Sequence, residues 1–189
     1  MTAKKLHEAG VALFRAGKAA DARQKLTEAL QLAQENSRQQ AEIYNDLGVV
    51  NRDLDDFEAA HAALDAALEI FTALNDKKGQ AQTWGNRGAV LEAEELAEEA
   101  VEAYKHSATM FEELGESEMA MYVWQAVSRL RTKQGQYIAA IGAYEEGVSN
   151  MPKGSFKRTV LEKILKAPGA LLGGGIAPAA PDEDEDEDE

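Results

Sequence analysis

Residues Trp84–Leu91 read WGNRGAVL: a tryptophan and a glycine four positions apart, with an asparagine midway between them. On a helix, positions i and i+4 share a face one turn apart. Trp84 and Gly88 therefore form a large–small pair, in which the glycine admits a second helix closely and the ring fills the space beside it. Both are expected in the core. Asn86 falls off that face and is the residue left to hold something. The pattern recurs in LHEAGVAL (Leu6–Leu13), YNDLGVVN (Tyr44–Asn51) and WQAVSRLR (Trp124–Arg131). The small residues Gly10, Gly48, Gly88 and Ser128 stand 38, 40 and 40 residues apart. Twelve residues after each comes Ala22, Ala60, Ala100 or Ala140, and four further on Leu26, Leu64, Tyr104 or Tyr144. Three beyond that sits Ala29, Ala67, Ser107 or Gly147. Between the halves lie turn-prone points at Gly17-Lys18, Asp55-Asp56, Glu94-Glu95 and Gly135-Gln136. Each unit is thus a helical hairpin, and the units stack on their neighbours.

Composition agrees. The chain has 189 residues, 44% of them hydrophobic, enough for a sizeable core. Alanine, leucine and glutamate dominate, β-branched residues are sparse, and the first proline is Pro152, so the fold class is all-α. With no cysteine, disulfides, thiolate metal sites and cysteine nucleophiles drop out. The opening MTAKKLHEAG lacks the apolar run of a secretion signal, and no 18-residue apolar stretch occurs. The expected location is cytoplasmic, with no membrane contact. Net charge is −14, but Asp182–Glu189 carry eight negative charges, leaving −6 for the rest. Direct nucleic-acid binding is not expected, since it needs clustered Lys and Arg against phosphates.

The repeat resembles the tetratricopeptide repeat (TPR), whose W-x2-L-G-x2-Y…A-x3-F pattern it follows over residues 2 to about 152. It departs at Arg87, before Gly88, and at Asn51 and Arg131, after the small residue. The closing proline appears only as Pro152. LND (Leu74–Asp76) and LGE (Leu114–Glu116) mark equivalent ends of a period near 40 rather than 34. That longer form is similar to the repeats of Pins/LGN-type polarity scaffolds, kinesin light chains and bacterial peptide-regulated Rap proteins. The implied architecture is a right-handed superhelical solenoid of four hairpins at about 2–37, 38–76, 77–116 and 117–152. Beyond it, FKRTVLEKILKA carries Phe156, Val160, Leu161, Ile164 and Leu165 at helical spacing and reads as an amphipathic capping helix over 153–167. Residues 168–181 read as a flexible linker and 182–189, DEDEDEDE, as a disordered acidic tail.

Catalysis is not expected. His7, His61 and His106 occupy different repeat positions, and there is neither a metal-spaced cluster nor a glycine-rich phosphate loop. No cofactor or metal is implied. The resemblance implies a concave groove lined by the first helix of each hairpin, holding a peptide segment or helix of another protein. The groove candidates are Asn45, Val49, Arg52, Gln82, Asn86, Met119, Tyr122, Gln125, Arg129 and Lys133. Asparagine suits such a surface because its amide both donates to and accepts from an extended backbone. Met119, Tyr122 and Ala126 make an apolar strip at i, i+3 and i+7. The carboxylate clamp of chaperone-docking TPRs does not fit: His7, Val11 and Asp46 stand at its positions, and starting one repeat later only Asn86 matches. Arg129, Arg131 and Lys133 read as a locally basic end that the acidic tail reaches across its linker, as a weak internal competitor. The alternative function is an acidic-tailed chaperone or sequestering factor for basic proteins. Self-association through repeat faces is a third option.

Overall fold

Among the described residues, eight helices of 13 residues or more follow directly from where the chain can and cannot continue a helix. In the computed structural model, which describes residues 1–151, 154, 158 and 159, they are α1 (Ala3–Arg15), α2 (Ala19–Leu32), α3 (Arg38–Asp53), α4 (Phe57–Ala73), α5 (Lys77–Ala93), α6 (Ala97–Glu113), α7 (Ser117–Lys133) and α8 (Tyr137–Ser149). No strand occurs among the described residues. Each hairpin turns on one residue in the left-handed region: Gly17 (φ 74°), Asp55 (56°), Glu95 (63°) and Gly135 (74°). The junctions between hairpins use the same device at Asn36 (52°), Asn75 (54°) and Gly115 (70°). Several starts are capped by side chains: Ser37 accepts from the Gln40 amide at 3.1 Å, and Asp76 accepts from the Gly79 amide at 2.9 Å.

Within a hairpin, the small residue of the first helix meets the large residue of the second. A Cβ on Gly10 would stand 2.8 Å from the Leu26 side chain, on Gly48 2.5 Å from Leu64, and on Gly88 2.7 Å from the Tyr104 ring. A side chain at any of the three would force its partner on the second helix to shift. In the fourth hairpin Ser128 replaces the glycine and turns its hydroxyl on the Ala140 carbonyl at 2.8 Å.

One expectation is corrected here. Gly88 is buried, but Trp84 is only half-buried. Its ring meets His106 edge-on at 4.6 Å, lies 5.4 Å from the Arg87 guanidinium, and lines an outer notch with Leu91 and Ala103. The large partner of Gly88 comes from the second helix, as Tyr104. That leaves Trp84 at the margin of the packing.

Consecutive hairpins stack through α2–α3, α4–α5 and α6–α7, with α1, α3 and α5 also touching one another in sequence. The first helices therefore line one side of the superhelix, and the site lies there. The expected capping helix (153–167), linker (168–181) and acidic tail (182–189) lie outside the described residues, apart from Gly154, Arg158 and Thr159.

Candidate functional site

The first helices enclose a groove of about 780 Å³, walled by α3, α5 and α7 and reached at one end by His7 of α1. Its floor is apolar. Phe71 of α4 and Tyr104 and Phe111 of α6 reach through from the second helices, and Val123 and Ala126 of α7 complete it. Phe71 and Phe111 are one repeat apart, 2% and 1% exposed, so the period that builds the core also paves the groove.

Eight of the ten groove candidates line this space: Asn45, Arg52, Gln82, Asn86, Met119, Tyr122, Arg129 and Lys133. Val49 is half-buried and Gln125 exposed, and neither lines it. At the centre, Asn86 Nδ2 donates to Asn45 Oδ1 at 3.0 Å, joining α5 to α3. The two asparagines, one position out of register in their own helices, meet across the stacked hairpins. Tyr122, 71% exposed, stands over the apolar floor beside Met119.

The two ends differ in charge. At the first, His7 Nε2 and Asp46 Oδ2 are 2.6 Å apart, and the hydrogen bond that the imidazole donates to the Asp46 carboxylate raises the His7 pKa against the opposing effect of burial. Glu42 lies beside them and pairs with Arg38 at 3.3 Å. At the other end Glu92, with 16% of its side chain exposed, accepts from Arg129 at 2.7 Å, Lys133 at 3.0 Å and the Tyr104 hydroxyl at 3.0 Å. Burial alone would raise the Glu92 pKa; the hydrogen bonds from Lys133, Arg129 and Tyr104 outweigh it and hold the carboxyl low. Burial, and then the neighbouring Glu92 charge, push the Tyr104 phenol well above its ordinary range, so it stays neutral and donates.

The three residues read as a locally basic end, Arg129, Arg131 and Lys133, are divided between two faces. Arg129 and Lys133 converge on Glu92 inside the groove. Arg131 faces the other way, 13% exposed, and binds Glu98 at 2.7 Å. Successive residues of a helix point about 100° apart, so neighbours in sequence need not share a face. The role of Glu92 was not foreseen, although its position falls on the groove side; its partners come from α6 and α7, and no local spacing announces them.

Among the described residues, no group of three or more His, Cys, Asp or Glu side chains is placed to hold a metal ion. No described helix is long and apolar enough to cross a membrane.

Comparison with known proteins follows the geometry. A tetratricopeptide-repeat family model matches residues 1–73. No curated protein matches the chain. Among solved structures, MamA is similar with 21% identity and a TM-score of 0.58, over 78% of this chain and 77% of that one. Nearly identical TPR-like repeats from Podosopora anserina give 14% identity and a TM-score of 0.67, over 89% and 88%. Aspartyl phosphate phosphatase F from Bacillus subtilis gives 15% identity and a TM-score of 0.74, over 87% of this chain but 44% of that protein. At these identities the likeness shows the fold alone.

Proposed function

We propose that the chain, which has the tetratricopeptide-repeat fold and matches that family's model over residues 1–73, acts as a non-catalytic adaptor whose groove holds a peptide segment or helix of a partner protein. The fold is in general a protein–protein interaction module and in general non-catalytic. The observation that carries the reading is the asparagine pair over an apolar floor. With Asn86 Nδ2 given to Asn45 Oδ1, the Asn45 amide keeps its donors and Asn86 its carbonyl oxygen, one of each polarity for a peptide unit. Beside them Met119, Tyr122, Val123 and Phe111 offer an apolar seat for a side chain two or three residues along. A segment bound this way gains orientation from the amides and affinity from the seat. Micromolar binding, about −8 kcal/mol, is the expected scale.

The test uses three baits against native lysate: the full chain, an Asn86→Ala/Tyr122→Ala variant, and a chain ending at Pro181. Captured proteins are identified by mass spectrometry. Tyr122 is exposed and Asn86 half-buried, so circular dichroism of the variant should match the wild type. Partners lost with the groove variant and kept by the truncation support the adaptor. Partners indifferent to the groove variant sink it. If they are basic and lost only with the truncation and with added salt, the acidic tail carries the affinity and the chaperone reading replaces it.

A further inference from the structure

The third hairpin departs from its neighbours on both sides at four places, and all four meet on its outer side. Where the second and fourth hairpins bury Leu47 and Val127, 7% and 1% exposed, the period puts Arg87. Glu99 stands at the place of Ala59 and Ala139, and Glu102 at that of Ala62 and Gly142. His106 replaces Ala66 and Glu146. With Trp84 and Leu91 these residues line a mostly apolar notch of about 520 Å³ between α5 and α6. It shares no residue with the groove. Packing does not ask for carboxylates there, since the second and fourth hairpins fold without them.

We infer that this notch is a second docking site, for a basic amphipathic segment of another protein, which lays an apolar side chain against Trp84 and Leu91 and sets Lys or Arg on Glu99 and Glu102. The ring is held before anything binds. Arg87 stands 5.4 Å over it and is itself fixed by Asp65 at 2.8 Å, while His106 meets its edge at 4.6 Å. An apolar side chain entering beside a ring already ordered meets little further entropy cost. Charge decides what flanks that side chain. Arg87 offsets Asp65, and Arg131 binds Glu98 at 2.7 Å. Lys105 takes only Oε1 of Glu102, whose side chain is 70% exposed. Glu99 is exposed and paired with no described residue, and exposed Glu95 precedes it in the turn. The surplus at the rim is therefore negative. It disfavours acidic segments and phosphates, and a second copy of the chain, at net charge −14, meets the same repulsion. Exposed ion pairs supply selectivity more than affinity, so the apolar contact with Trp84 and Leu91 carries most of the binding.

Nuclear magnetic resonance of the full chain tests this through its two indole N–H signals, with light scattering for its mass. The probe is a short amphipathic helix of leucine and arginine. It should shift the Trp84 signal and leave in place that of Trp124, which donates to Glu112 at 2.6 Å. Oligoarginine of equal charge should bind at least about tenfold more weakly, for want of a leucine to bury. Glu99→Ala/Glu102→Ala copies Ala59 and Ala62 of the second hairpin, so it should fold as the wild type does. It should weaken the peptide about threefold to tenfold, the sum of two exposed ion pairs. The groove variant Asn86→Ala/Tyr122→Ala should bind the peptide unchanged. Oligoarginine that binds equally well overturns the proposal, as does a Trp84 signal that stays in place or an affinity indifferent to the two carboxylates. Binding lost with the groove variant overturns it in favour of the groove. A wild-type dimer that Leu91→Arg, the residue found at Arg131, turns into a monomer overturns it in favour of a second copy.

Discussion

Glu92 shows how one side chain sets the character of a whole groove end. Its carboxylate joins Tyr104 of α6 to Arg129 and Lys133 of α7, so two long cationic side chains are drawn over the groove rather than extended into water. Each partner also depresses the Glu92 pKa. A carboxyl whose folded pKa lies below its unfolded value stabilises the fold at every pH above the unfolded value, and that contribution disappears as pH falls through the folded one. Glu92→Gln keeps the shape and an acceptor for Tyr104 but removes the charge. It should cost about 1–2 kcal/mol at pH 7, discounted for the exposure of Arg129 and Lys133. The gap from wild type should narrow as pH falls from 7 toward 3, because the charge that distinguishes the two is progressively lost as the lowered Glu92 pKa is approached. Urea unfolding at the two pH values measures it. A gap that is equal at both would mean that the charge contributes nothing.

At the scale of the elements, the hairpins share one backbone solution and differ in how comfortably the sequence meets it. Gly17 and Gly135 take the left-handed turn without cost, whereas Glu95 takes it at φ 63° with a full side chain. Such a conformation costs an L-residue about 1–2 kcal/mol. Replacing Glu95 by glycine relieves it, offset by about 0.5–1 kcal/mol of extra freedom in the unfolded chain. Glu95→Gly should therefore stabilise by about 0.5–1 kcal/mol in urea unfolding, with the circular dichroism of the folded state unchanged; a destabilised variant would show that the turn is not the strained element. These turns were legible in the sequence because the period repeats them, and so were the close crossings at Gly10, Gly48 and Gly88. Trp84 was misplaced by the same reasoning. A large–small pair on one helix face does not say which neighbouring helix fills the gap, and Tyr104 had already filled it. The floor residues Phe71 and Phe111 lie on second helices, where a reading confined to groove-facing positions of first helices does not look. Asn45 and Asn86 were both legible as groove residues. Their mutual hydrogen bond was not, because it depends on the rotation between hairpins and not on any spacing within one.

Across the whole molecule, apolar packing is uneven along the superhelix. One cluster, from Leu6 to Ala63, binds α1–α4, and another, from Ala81 to Ala143, binds α5–α8. The seam between them rests on Ala60, Leu64 and Val90, with Gly79 under the Phe71 ring. Polar links add His61–Glu94 at 2.6 Å, Arg87–Asp65 at 2.8 Å and Asn86–Asn45 at 3.0 Å. In a solenoid, stability is close to a sum of repeat terms and nearest-neighbour terms, so the weakest seam decides whether the chain unfolds as one body or two. Val90 is 0% exposed and stands on that seam. Val90→Ala removes two buried methyl groups and should cost about 2 kcal/mol, mostly as lost coupling. The chain carries its own probe for this. Both tryptophans, Trp84 and Trp124, belong to α5 and α7, so their fluorescence follows the second half alone, while far-ultraviolet circular dichroism follows α1–α8 together. Wild-type urea transitions by the two signals should coincide, as for a single cooperative unit. In Val90→Ala they should separate. If they still coincide while the midpoint falls, the polar links alone couple the halves, and the groove, whose walls cross this seam between α3 and α5, is held rigid by Asn45, Asn86 and their charged neighbours rather than by the core beneath it.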